Sequence, residues 1–129
     1  MSPFPRSMNN AEISEKVAYW FFRLNGCATI ENFVVHPDQP GSQETDVDIL
    51  AIRFPHRCEL FTSQTPMEDH HELKAFPGRI QVIFAEVKGR NHPCSLNGPW
   101  TKPGRQNMHR VLYAIGAFSQ QEVPDVATK

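Results

Sequence analysis

The sequence predicts a layered α/β domain: a helix, a three-stranded antiparallel meander, and a second helix covering the sheet. Three observations predict it. Asn9 to Asn25 carries apolar residues at helical spacing between a cap signal and a stop signal. Thr45–Phe54 (TDVDILAIRF) and Ile80–Gly89 (IQVIFAEVKG) are apolar runs of strand length that bear charge toward one end. A second apolar-periodic stretch follows from Arg105 to Gln121.

The chain has 129 residues, 40% hydrophobic and 21% charged, which is one ordinary globular domain. Residues 1–8 form a loose leader with two prolines, Pro3 and Pro5, and no apolar core of signal-peptide type. No apolar run approaches the roughly 20 residues of a membrane span, so no membrane partner is expected and the cytoplasm is the default location. Net charge is −1, with a pI near 6.6. That disfavours a protein that coats nucleic acid through a global basic field, and leaves an enzyme with a local basic cleft open. Cys27, Cys58 and Cys94 form no C-x-x-C pair and read as free thiols.

In the first helix, Asn9 and Glu12 form a capping-box pattern and Gly26 is a stop signal. Ile13, Val17, Trp20, Phe21 and Leu24 make the expected apolar face. Ala18, Tyr19 and Phe22 lie opposite, headed by Glu15, so cover on a second side by a loop or a partner chain is expected; where a partner chain supplies it, the chain is one half of a homodimer. Thr29–His36 is the first strand and Glu44–Phe54 the second, joined through the turn cluster Asp38–Gln43. Residues 55–78 are an insert loop with three prolines and the patch EDHHE, in which Cys58–Phe61 is a possible short strand and Met67–Leu73 a short helical turn. Arg79–Lys88 is the third strand and Gly89–Gly104 a loop. The second helix has Met108, Val111, Leu112, Ile115 and Phe118 as its apolar face.

Alternation on a strand sends Glu86 and Lys88 to one side and Val87 to the other, into packing. Asp46 and Asp48 stand on the neighbouring strand. Buried carboxylates need a partner. Asp48 and Glu86, with the Val87 carbonyl, make a set of hard oxygens suited to Mg²⁺, for which Mn²⁺ can substitute. Lys88 beside them places a cation where it can orient or activate water and stabilise charge on a phosphate. An E-x-K taken alone reads as an exposed ion pair; the D-x-D strand upstream is what points to chemistry. His70 and His71 show no repeated zinc-site spacing, and no G-x-S-x-G, P-loop or G-x-G-x-x-G is present.

DVDILAIR (Asp46–Arg53) followed by FAEVKGR (Phe84–Arg90) resembles the signature of the PD-(D/E)XK nucleases, the restriction-endonuclease-like superfamily. The resemblance covers about residues 10–120. It implies a restriction-endonuclease-like core in which Asp48 is the metal-binding aspartate, Glu86 and Lys88 are the E-x-K pair, and Glu15 is the first-helix glutamate, with Glu12 its competitor. It implies hydrolysis of DNA phosphodiester bonds with a Mg²⁺ cofactor. Arg90, Lys102, Arg105, His109 and Arg110 are then expected to face the phosphate backbone, and Trp100 either stacks on a base or packs into the core. The sequence departs from the family in Thr45 before the aspartates, in the extra acid Asp46, and at its C-terminus. There, Val123–Lys129 is a remnant of the family's last strand, the chain is a fragment, or a partner supplies that strand. The alternative function is a catalytically inactive nuclease-fold module that binds nucleic acid or protein.

Overall fold

The computed structural model describes residues 7–36, 45–59, 62–65, 67–89, 95–96, 98–101 and 103–127. Their order is α1 (Asn10–Leu24), β1 (Ala28–Val35), β2 (Thr45–Arg53), β3 (Gln81–Ala85), α2 (Gly98–Thr101), α3 (Gln106–Ile115) and α4 (Val123–Ala127), with a short 3₁₀ turn at His71–Lys74. The protein is mixed α/β, with a three-stranded antiparallel sheet in the order β1-β2-β3 flanked by helices. The chain clusters into two compact units, Met1–Glu31 with Asp48–His92, and Asn32–Val47 with Pro93–Lys129.

In the first unit, α1 starts as its sequence dictates. The Asn9 side chain accepts the Glu12 N–H at 2.9 Å, and the Glu12 carboxylate accepts the Asn9 N–H at 2.8 Å, so the capping box is closed. The helix ends in a Schellman turn. Cys27 N–H donates to the Phe22 carbonyl and Gly26 N–H to the Arg23 carbonyl. Gly26 has φ +79°, and the Arg57 side chain lies where a Cβ on it would stand, so only glycine fits.

The packed face of α1 differs from the expectation. Ala18, Tyr19 and Phe22 pack against Cys27, Ile49, Ala51 and Leu73, together with Ile83, Ala85 and Val87. The stripe Ile13, Val17, Trp20, Phe21 and Leu24 is exposed. Both stripes are apolar. The sheet takes the one containing Ala18, where small residues on both elements (Ala18 on α1, Ala51 and Ala85 on the strands) allow close approach and Tyr19 and Phe22 are partly buried.

β2 pairs antiparallel with β3, Ile49 opposite Ala85 and Arg53 opposite Gln81. Ile49 and Ala51, with Ile83 and Ala85, face α1; alternation sends Leu50, Ile52, Val82 and Phe84 to the other face. The third strand is shorter than the expected Arg79–Lys88.

The insert is pinned to α1. Asn25 Oδ1 accepts the His70 N–H at 2.6 Å, Arg57 donates to the Leu24 carbonyl at 3.2 Å, and buried Arg53 pairs with Asp69. Cys58 and Glu59 are not in a strand; Leu60 and Phe61 lie outside the described residues. The expected helical turn is the 3₁₀ turn at His71–Lys74.

In the second unit, α3 buries Asn107, Val111 and Leu112 and stops at Gly116, whose φ is +71°. It is shorter than the expected Arg105–Gln121, and Phe118 lies beyond it. The expected loop Gly89–Gly104 contains α2, which buries Trp100; Asn107 ties it to α3 by donating to the Pro99 carbonyl at 2.8 Å. Val123–Ala127 is helical, with Val123 and Ala127 buried, so it is not a remnant of a strand. None of the helices among the described residues is long and apolar enough to cross a membrane.

Candidate metal and hydrolysis site

The β2–β3 ladder ends at Ile49 and Ala85. Continuing that register by one residue sets Asp48 opposite Glu86, on the same side of the sheet. The strands do not go on pairing through their backbones there. Instead the Asp48 carboxylate takes over: its Oδ2 accepts the Val87 N–H at 2.8 Å. Val87 packs into the cluster under α1, so Glu86 and Lys88 point the other way, and the Lys88 ammonium lies 3.7 Å from Glu86 Oε2. The structure therefore brings Asp48 to the backbone amide between Glu86 and Lys88.

Burial makes this pair different from a surface one. The Glu86 side chain is 11% exposed and that of Lys88 23%. A carboxylate with so little water depends on its neighbours for solvation. Of the two Asp48 oxygens, Oδ2 is held by the Val87 amide. A carboxylate has several acceptor sites, so this bond leaves room for a further partner.

Two hard carboxylates, one within β2 and one just past the end of β3, suit Mg²⁺, which is usually held by one or two carboxylates and keeps several waters. Asp48 and Glu86 have the right donor chemistry, and the Val87 carbonyl would be a third oxygen. Among the described residues, no group of three or more His, Cys, Asp and Glu side chains is arranged to hold a metal. His70 and His71 stack ring on ring at 4.4 Å, and the His70 ring accepts the Glu72 N–H.

Glu15 is half-buried on α1 and heads the stripe of Ala18, Tyr19 and Phe22. That stripe lies on the Ile49/Ala51 face, whereas Glu86 and Lys88 extend from the opposite one. Arg90 and Lys102 lie outside the described residues. In the second unit Arg105 takes a left-handed conformation (φ 49°) just before α3, and its carbonyl meets His109 Nδ1 at 2.8 Å. Arg110 donates to the buried Asn107 Oδ1 at 2.9 Å, which orders its guanidinium along α3. Trp100 is buried, which is the second of the two readings of this residue.

The sequence reading missed the ion-pair cluster below the helix end. Asp69 is bridged by Arg53 and Arg57, and Cys27 lies within reach of their charges. Burial raises the Cys27 thiol above its ordinary value of 9.0, against the nearby Arg53, which lowers it. The signal in the sequence was Arg53 at the inner end of an apolar strand, where a cation demands an acid.

The chain matches no protein-family model, no curated protein and no solved structure.

Proposed function

We propose that the chain is a metal-dependent nuclease of restriction-endonuclease-like fold that hydrolyses DNA phosphodiester bonds. The observation that supports this reading is the meeting of Asp48, the Val87 amide, Glu86 and Lys88 at one strand end. Asp48 and Glu86, with the Val87 carbonyl, would hold Mg²⁺ or Mn²⁺. When bound, the ion supplies Lewis-acid stabilisation of the charge that grows on the phosphate.

The chain's own residues set up the rest. The Val87 N–H fixes the Asp48 carboxylate in advance, so it does not reorganise during reaction. Glu86 holds the Lys88 ammonium, which orients the attacking water or neutralises the scissile phosphate. Glu15, which heads the stripe on the other face of the sheet, is left out of this centre. Arg90, Lys102, Arg105, His109 and Arg110 contact the DNA backbone, which adds affinity without sequence preference.

The test is cleavage of plasmid, linear and branched DNA with Mg²⁺ or Mn²⁺ by the wild type, Asp48→Ala and Lys88→Ala. A loss of at least about 100-fold in both variants is expected. Equal cleavage by all three, or no cleavage of any substrate, overturns the proposal. The second reading is a nuclease-fold module without catalysis. It is favoured by the lack of a third acidic, histidine or cysteine ligand among the described residues. Calorimetry with Mn²⁺ separates the two: the inactive module shows no heat that Asp48→Asn removes.

A further inference from the structure

Helix α1 turns its longer apolar stripe away from its own sheet. Ile13, Val17, Trp20 and Leu24 recur at 4-3-4 spacing and are 46%, 66%, 53% and 62% exposed, while Ala18, Tyr19 and Phe22 take the sheet side. Phe21, at the flank of the exposed stripe, opens onto a groove of about 550 Å³ that is also walled by Phe76 and Ile80. Both of these are more than half exposed. Side chains of this size, so exposed, leave on the order of 100 Å² uncovered each. Together they approach the roughly 800 Å² per partner of a standard interface, more than the largest apolar patch of a typical monomer.

We infer that this surface is the contact between two copies of the chain, with their α1 helices packed antiparallel across a twofold axis. The 4-3-4 spacing is the seam spacing of paired helices, and a seam of this kind is complementary to itself. Antiparallel packing opposes the two helix dipoles. It also brings the acidic first turn of one helix, Glu12, toward the basic last turn of the other, Arg23. Asn10 and Ser14 on one flank and Lys16 on the other give the seam a polar rim. A membrane surface fits less well, because the polar positions of α1 mix Glu12 and Glu15 with Lys16 and Arg23 rather than presenting a basic face. The groove beside Phe21 then receives side chains of the partner helix.

Sedimentation equilibrium of the full chain tests this. The expected mass at about 50 µM is twice the 14.7 kDa of one chain. Val17→Glu combined with Leu24→Glu should weaken association by at least about 100-fold with an unchanged far-ultraviolet circular dichroism spectrum, since both positions are exposed in the single chain. A wild type that stays at 14.7 kDa, or a double variant that dimerises like the wild type, overturns the inference. If the double variant misfolds, acrylamide quenching of wild-type tryptophan decides. Trp20 should become more accessible on dilution while the buried Trp100 stays constant. Quenching independent of concentration overturns the interface.

Discussion

Asp48 Oδ2 accepts the backbone N–H of Val87 at 2.8 Å, so one carboxylate closes the sheet where the backbone ladder stops. This gives Asp48 a structural duty beside any chemical one, and the two separate by substitution. Asp48→Asn keeps an oxygen for the amide and removes the charge; Asp48→Ala removes both. Chemical denaturation should show a loss of about 1.5–3 kcal/mol for the alanine variant and under about 1 kcal/mol for asparagine. Both should abolish Mn²⁺ binding in calorimetry. An asparagine variant that binds Mn²⁺ like the wild type removes Asp48 from the metal site.

Gly26→Ala is expected to destabilise the protein by about 2 kcal/mol or more. The positive φ already disfavours any side chain, and the new methyl must displace Arg57, which holds the Leu24 carbonyl. Urea unfolding measures it. A change below about 0.5 kcal/mol would mean that Arg57 moves aside freely.

The Arg53–Asp69 pair is buried on both sides. Asp69→Ala leaves Arg53 without its main counter-charge and should cost about 3–5 kcal/mol. Replacing both, Arg53→Met with Asp69→Leu, should recover most of that loss, because the desolvation of two charges disappears with their attraction. A double variant no more stable than Asp69→Ala contradicts this account.

Cys27 gives a pH prediction. Its thiol is raised above 9.0 chiefly by burial. Above that pH the unfolded chain releases the proton while the folded chain keeps it. The unfolded state is favoured, and stability falls as pH rises through 9 toward the folded value. Cys27→Ala should flatten this decline in denaturation curves measured between pH 8 and pH 10. In peptide mass mapping at pH 8, iodoacetamide should modify exposed Cys58 and spare Cys27.

Much of the local design was legible in the sequence. Asn9, Glu12 and Gly26 carry their instructions within a few residues, and α1 starts and stops where they say. The alternation of Ala85, Glu86, Val87 and Lys88 gave the inward valine, because a period of two survives even where the ladder ends. The packed side of α1 was not legible. Two apolar stripes compete, and the choice depends on Ala51 and Ala85, which lie far along the chain. The Arg53–Asp69 pair spans 16 residues of irregular chain, and no periodicity links its ends. Helix α2 lies within a stretch of prolines and glycines that reads as loop; the burial of Trp100 and the grip of Asn107 on the Pro99 carbonyl accompany it.

The bond between Asp48 and Val87 also supplies a spectroscopic probe. An amide proton two residues beyond a ladder exchanges with solvent quickly when it faces water. That of Val87 is shielded by a carboxylate instead, and its chemical shift depends on the charge at the other end of the bond. In a ¹⁵N-correlated spectrum this single cross-peak should move when Asp48 is neutralised or when a cation arrives. It reads the electrostatic state of the proposed centre without a substrate.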